Sequence, residues 1–304
     1  AACLQTSRCQ AIPYLQRSLI RMSYLQRIAS CNMARIENYL PFYIDGKQTG
    51  WLKRDFAGHL TRWPDIFVVS SQAIALADSV RGFSQRTAAV DRIIYQLVEE
   101  NIIRCYLDEP YPVTASDRNQ AMMTLDRGAV PYFGLRSFGQ HINGFVRKEN
   151  GIYLWIARRA SDRMVEPGKL DNMVAGGLPW HISPQQNLVK ECAEEAGMSK
   201  SLALRAQATG TVSYLAESKI GIKPDTLYCY DIELPEDFTP VCTDGEVESF
   251  QLMPVEKVMQ IVRDSEEFKP NCNLVIIDFL IRHGLLDSEE ADYTELVCNL
   301  HRQH

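Results

Sequence analysis

The chain has 304 residues, 46% hydrophobic and 23% charged, with a formal net charge of −6. That length allows one large or two medium domains around a buried core, and the acidic balance leaves no basic surplus for gripping nucleic-acid phosphates. The apolar run at residues 274–281 is interrupted by Asp278 and is far too short to span a bilayer, so no membrane partner is expected. Nine cysteines are scattered without a Cys-x-x-Cys pair, a pattern that fits free thiols in a reducing compartment.

Residues 1–36 carry Arg8, Arg17, Arg21, Arg27 and Arg35 and no acidic side chain. This reads either as an organellar transit segment or as an extension before Met22, where an amphipathic helix begins. The second reading sets residues 1–21 apart as a leader or extension and makes the protein cytoplasmic. The first makes it mitochondrial or plastid.

Residues 22–130 read as a mixed accessory domain. Phe42-Tyr43-Ile44, the Asp45-Gly46 turn and Trp51-Leu52 predict a hairpin. Residues 67–69 predict a strand. Val90, Ile93, Ile94, Leu97 and Val98 share one face of a helix over 87–100. Pro110-Tyr111-Pro112 reads as an interruption, and a link is expected near 126–130. Residues 131–304 then alternate short strands (141–147, 152–158, 209–216, 225–233, 248–252) with helices at 184–196, 255–264 and 273–283. The fold class is α+β, a mixed sheet between helices, with the accessory α+β domain in front.

The chemistry concentrates in residues 176–198. Ser183 is a good N-cap, Pro184 suits the first helical position, Gln186 completes a capping box, and Gly197 suits a left-handed C-terminal closure. At 100° per residue Leu188, Val189, Cys192, Ala193 and Ala196 fall on one side, and Glu191, Glu194 and Glu195 on the other. At about 6 Å and an effective dielectric of about 20, each like-charged pair costs roughly 3 kcal/mol. A hard divalent cation relieves such crowding by taking carboxylate oxygens, and Mg²⁺ bridges carboxylates to phosphates in this way. The preceding Gly176-Gly177 permits close backbone approach by a substrate.

This composite resembles the Nudix box, a glycine loop followed by a helix with a carboxylate-rich face. Gly176, Glu191, Glu194, Glu195 and Gly197 match it, Lys190 stands in its Arg position, and Ile182 replaces its first Glu. Residues 139–146, 155–159, 170–177, 268–272 and 278–284 further resemble one subgroup, the thiamine-diphosphate-type Nudix hydrolases, which includes the Nudix region fused to fungal thiamine pyrophosphokinase. The resemblance runs from near Met22 almost to the C-terminus.

It implies hydrolysis of a small organic diphosphate, thiamine diphosphate or an oxidised or damaged analogue, to the monophosphate plus phosphate. Catalysis would rest on Glu191, Glu194 and Glu195 holding Mg²⁺, with Mn²⁺ as a substitute, and on either Glu195 or Glu191 orienting the water. A further metal carboxylate is expected from a later loop, Glu246 or Glu248. Lys190 is expected to brace a helix carboxylate. Arg158, Arg159 and Lys269 are candidate phosphate contacts. His141 and Asn143 are candidates to face the substrate ring, and Trp180 would stack on a heterocycle or cap the core. Competing readings are another nucleoside-diphosphate-linked substrate, isopentenyl-diphosphate-type isomerase chemistry, or a non-catalytic ligand-binding module motivated by Ile182. The oligomeric state is left open, with a homodimer as one option.

Overall fold

A computed structural model describes residues 22–302; the leader expected at residues 1–21 lies outside the described residues. The chain opens with helix α1 (Tyr24–Ser30) and then builds a four-stranded sheet from β1 (Tyr39–Ile44), β2 (Lys47–Lys53), β3 (Phe67–Val69) and β4 (Ile74–Leu76), in the order β2-β1-β4-β3. Asp45 and Gly46 turn the β1–β2 hairpin with positive φ at both positions, 49° and 71°, the backbone twist that favours a tight two-residue connection. Helices α2 (Arg54–Leu60) and α3 (Phe83–Glu99) join this unit. Val90, Ile93, Ile94 and Leu97 of α3 enter the core that holds Leu40, Phe42, Ile44 and Phe133. The predicted helix starts four residues late because Phe83 and Ser84 follow a glycine cap that carries no sequence cap signal.

A separate pair, β5 (Pro110–Val113) and β6 (Met123–Asp126), and the short α4 (Val130–Phe133) complete the region. The prolines at 110 and 112, read from sequence as an interruption, instead lie within β5. A two-stranded ribbon has free edges, where a missing N–H costs no ladder bond.

The second unit is a seven-stranded mixed sheet. Its main path runs through β7 (Ser137–Lys148), β8 (Gly151–Arg159), β11 (Gln207–Glu217), β12 (Ile222–Glu233) and β13 (Val247–Pro254), ordered β11-β12-β7-β8-β13. The β7–β12 pair is parallel and the others antiparallel. Two short strands, β9 (Leu170–Asp171) and β10 (Val174–Gly177), pair with β8 and β7 respectively.

Helices cover both faces, as expected from the sequence. On one lie α5 (Pro184–Ala196) and α6 (Lys200–Ala203), packing Leu188, Cys192 and Ala196 against Ile142, Val146 and Val174. On the other lie α7 (Val255–Asp264), α8 (Pro270–Arg282) and α9 (Tyr293–Leu300). Residues 272–280 of α8 are all buried, the mark of a helix enclosed on every side. Buried Asp278 is matched there by Arg282 at 2.7 Å. Helix α1 joins this second core through Tyr24, Ile28 and Cys31. The cysteines among the described residues are free thiols, and no helix there is long and apolar enough to cross a membrane.

Candidate active site

Helix α5 forms where its end signals place it. Ser183 Oγ accepts from the Gln186 amide at 3.2 Å, Gln186 Oε1 accepts from the Ser183 amide at 3.1 Å, and Gly197 closes the helix at φ 63°. The helix lies against β10, and glycine decides how closely. A Cβ on Gly176 would stand 2.3 Å from Cδ of Glu191, so only glycine lets that carboxylate rest on the strand. One residue earlier, the Ala175 amide donates to Glu195 Oε2 at 2.8 Å.

The faces of α5 differ from the sequence expectation at two positions. Glu195 is only 6% exposed, whereas Ala193 is exposed. Glu195 falls seven residues after Leu188, on the same face of the helix, and the Ala175 N–H gives its carboxylate a partner inside. Glu194 stays half-exposed. Lys190 Nζ lies 2.8 Å from Glu194 and 3.3 Å from Glu191, bracing both.

Burial pushes the Glu195 carboxyl well above its ordinary range; the Ala175 N–H opposes this in part, while Asp171, Glu191 and Glu246 add to it. Burial also raises Glu191, against the pull of Lys190 and with the push of Glu194 and Glu246. The cluster is therefore short of positive charge. Its donors are hard oxygens, two of them desolvated, and this fits a divalent cation of the Mg²⁺ type.

The loop before β13 is clamped to the end of α5, since the Thr243 amide donates to Glu194 O at 2.9 Å and the Val241 amide to Ala196 O at 3.1 Å. It carries Glu246 close enough to raise both Glu191 and Glu195, with its own carboxylate 2.7 Å from Arg163. Glu248 is exposed.

A second ionic group lies behind the first, on the face of β7 toward α8. His141, Asp171 and Cys272 bring ligand-type atoms within 4.8 Å of one another. Asp171 is already saturated: Arg159 Nη1 lies 2.9 Å and Lys269 Nζ 3.4 Å from Oδ2, and the Cys272 thiol donates to Oδ1 at 2.7 Å. Burial alone would raise the Asp171 carboxyl, but Lys269, His141, Cys272 and Arg159 outweigh it and hold it at about 2. Burial, helped by Lys269, lowers His141 to about 4 and keeps it neutral. With two cations in place and a protonated thiol, this trio has little left to offer a metal ion.

The remaining predicted contacts fall around these groups. His141 and Asn143 are 3% and 1% exposed and hydrogen-bonded into the interior. His141 Nδ1 lies 2.7 Å from Asn172 Oδ1, Asn172 donates to Asn143 Oδ1 at 2.8 Å, and Asn143 donates to Asp231 at 3.0 Å. Arg158 donates to Gly168 O at 2.7 Å. Trp180 seats against Phe83, with ring centres 5.8 Å apart. Ile182, where the box departs from its pattern, presents its carbonyl to Arg118 at 2.7 Å. Sequence reasoning missed Asp171 and Arg118, whose partners lie far along the chain.

Residues 138–272 match a family model described as the NUDIX domain, and residues 23–137 match one described as a domain of unknown function, DUF4743. The protein is 41% identical to Nudix hydrolase 24, chloroplastic, of Arabidopsis thaliana, over 97% of this chain and 82% of that one. It is also 41% identical to Nudix hydrolase 20, chloroplastic, of the same plant, over 91% and 77% of the two chains. Among solved structures, a C. elegans Ap4A hydrolase is similar at 12% identity and TM-score 0.37, covering 49% of this chain and 99% of that one. With a long alignment to Nudix hydrolases and a capped carboxylate helix seated on a glycine pair, this chain belongs to the Nudix hydrolase family.

Proposed function

We propose that the protein hydrolyses the diphosphate bond of a small organic diphosphate, with thiamine diphosphate or an oxidised or damaged analogue as substrate. The observation that carries the hydrolytic reading is the charge-deficient trio Glu191, Glu194 and Glu195, two of them desolvated against β10. Thiamine as the organic half rests on the subgroup resemblance of residues 139–146, 170–177 and 268–272. A Mg²⁺ or Mn²⁺ ion held by Glu191, Glu194, Glu195 and Glu246 would neutralise the diphosphate and acidify the attacking water. The chain's own task is placement, which supplies much of the barrier reduction in phosphoryl transfer. Lys190 fixes the outer carboxylates, and the Ala175 amide fixes Glu195. Gly176 admits the Glu191 carboxylate and Gly177 the Tyr111 hydroxyl, so the glycine pair sets the position of the site's own side chains. Of the cationic candidates, Arg158 is the one left to meet a phosphate, since Asp171 engages Arg159 and Lys269, and His141 and Asn143 are bonded into the interior.

Phosphate release from a panel of thiamine and nucleotide diphosphates, with and without Mg²⁺, tests the reading. Mg²⁺-dependent release, fastest with thiamine diphosphate or its oxidised form, is expected. A preference for nucleotide diphosphates would overturn the substrate class, and no release from any would overturn hydrolysis.

The relatives' names place them in chloroplasts, which supports the organellar alternative over the cytoplasmic one. A removable segment would have to stop short of α1, whose Tyr24 and Ile28 are core residues.

A further inference from the structure

The accessory region presses directly on the glycine loop that precedes α5. The Trp180 amide donates to Pro110 O at 2.8 Å. The Arg118 guanidinium, 4% exposed, donates to the carbonyls of Pro179, Trp180 and Ile182. At Gly177 the approach is closest: an added Cβ would stand 2.1 Å from the Tyr111 hydroxyl and 3.5 Å from Arg127 Nη1. The glycine pair is thus sandwiched, with Glu191 against Gly176 and with Tyr111 and Arg127 against Gly177.

Arg127 follows β6 and stands at the rim of this sandwich, half-exposed. Its Nη1 lies 2.7 Å from Glu109, and its guanidinium is 5.7 Å from the centre of the Tyr111 ring. Burial works against its charge, yet Tyr111, Glu109 and Glu246 outweigh it and raise its affinity for the proton. The field of Glu246, which also reaches Glu191 and Glu195, therefore reaches Arg127 as well. A guanidinium carries five N–H donors in a fixed fork that matches phosphate oxygens. A diphosphate held at the α5 carboxylates and reaching the rim of this sandwich would meet that fork.

We propose that Arg127, held against the Tyr111 ring, grips a phosphate oxygen of the substrate, so that the accessory region forms part of the diphosphate site. The inference rests on the hydrolytic reading above and adds to it a binding residue from outside the Nudix-matching segment.

The test is calorimetric titration of the full chain with methylenediphosphonate in the presence of Mg²⁺, alongside Mn²⁺ binding measured separately. Arg127→Ala is expected to weaken diphosphonate binding about ten- to a hundredfold, the scale of one lost charge-assisted hydrogen bond, with Mn²⁺ affinity unchanged. Arg127→Lys is expected to fall between, since it keeps the charge and loses the fork. Glu109→Gln separates a binding role from a merely structural one. Freed of its partner, Arg127 should hold the diphosphonate at least as tightly as wild type. If Arg127 serves only to pair with Glu109, that variant would show the same loss as Arg127→Ala, and the proposal falls. Unchanged binding by Arg127→Ala would overturn it alone. Wild-type protein that neither binds the diphosphonate nor releases phosphate from the panel would overturn the underlying reading with it.

Discussion

Two ionic groups lie close together in this protein and are finished to different degrees. Around Asp171, two cations, a thiol and a neutral imidazole answer one carboxylate, whose pKa falls to about 2. On α5, three carboxylates share Lys190 and one backbone amide, and the pKa values of Glu191 and Glu195 rise. The first group is electrostatically closed and acts as structure. The second is electrostatically open, short of positive charge, and is where the proposed cation would bind. Proximity of acidic groups alone does not mark a metal site; the unpaid balance of charge does.

Breaking the open group should cost activity without costing the fold. Glu195→Gln keeps an acceptor for the Ala175 amide and removes the charge, so turnover should fall by three or more orders of magnitude. The metal-free variant should melt higher than wild type, because a poorly compensated buried charge has been removed. Glu194→Gln should also lose turnover. Wild-type rates in steady-state assays of both variants would contradict the account.

Breaking the closed group should do the reverse. Asp171→Asn leaves Arg159 and Lys269 without their counter-charge, and a loss of about 3–5 kcal/mol is expected in denaturant unfolding. Mn²⁺ binding by the folded fraction should persist. A variant as stable as wild type would show that Asp171 is not the keystone described here.

The closed group also predicts a pH dependence. His141 is lowered in the fold to about 4 from an ordinary 6.5, so the unfolded chain binds more protons between those values. Stability is therefore complete above about pH 6.5 and declines as pH falls towards 4, by roughly 3 kcal/mol at most from this group. His141→Asn should flatten that part of the stability profile. An unaltered slope would place the titration elsewhere.

The smallest effect sharpens the choice between the two later carboxylates. Glu246→Gln should weaken Mn²⁺ binding about tenfold, whereas Glu248→Gln, at an exposed position, should leave it unchanged. The reverse order would move the fourth carboxylate to β13.

What the sequence revealed follows from how local each signal is. The bounds of α5 were legible because Ser183, Pro184, Gln186 and Gly197 act within one turn of the helix ends. The hairpin at Asp45-Gly46 was legible for the same reason. The burial of Glu195 was less so: its i+7 relation to Leu188 is visible, but the Ala175 amide that makes burial tolerable comes from another strand. At 110–113 proline argues against a central strand, and only the pairing partners reveal a separate two-stranded ribbon. Asp171, Arg118 and Arg127 gain their meaning from partners up to a hundred residues away, so no spacing rule could single them out.

The most direct test of the central claim is Mn²⁺ titration of metal-free protein, followed by electron paramagnetic resonance, in wild type, Glu195→Gln and Cys272→Ser. The account predicts specific binding in wild type, its loss in Glu195→Gln and its retention in Cys272→Ser. Binding that survives Glu195→Gln and disappears with Cys272→Ser would place the cation in the Asp171 group and contradict the account.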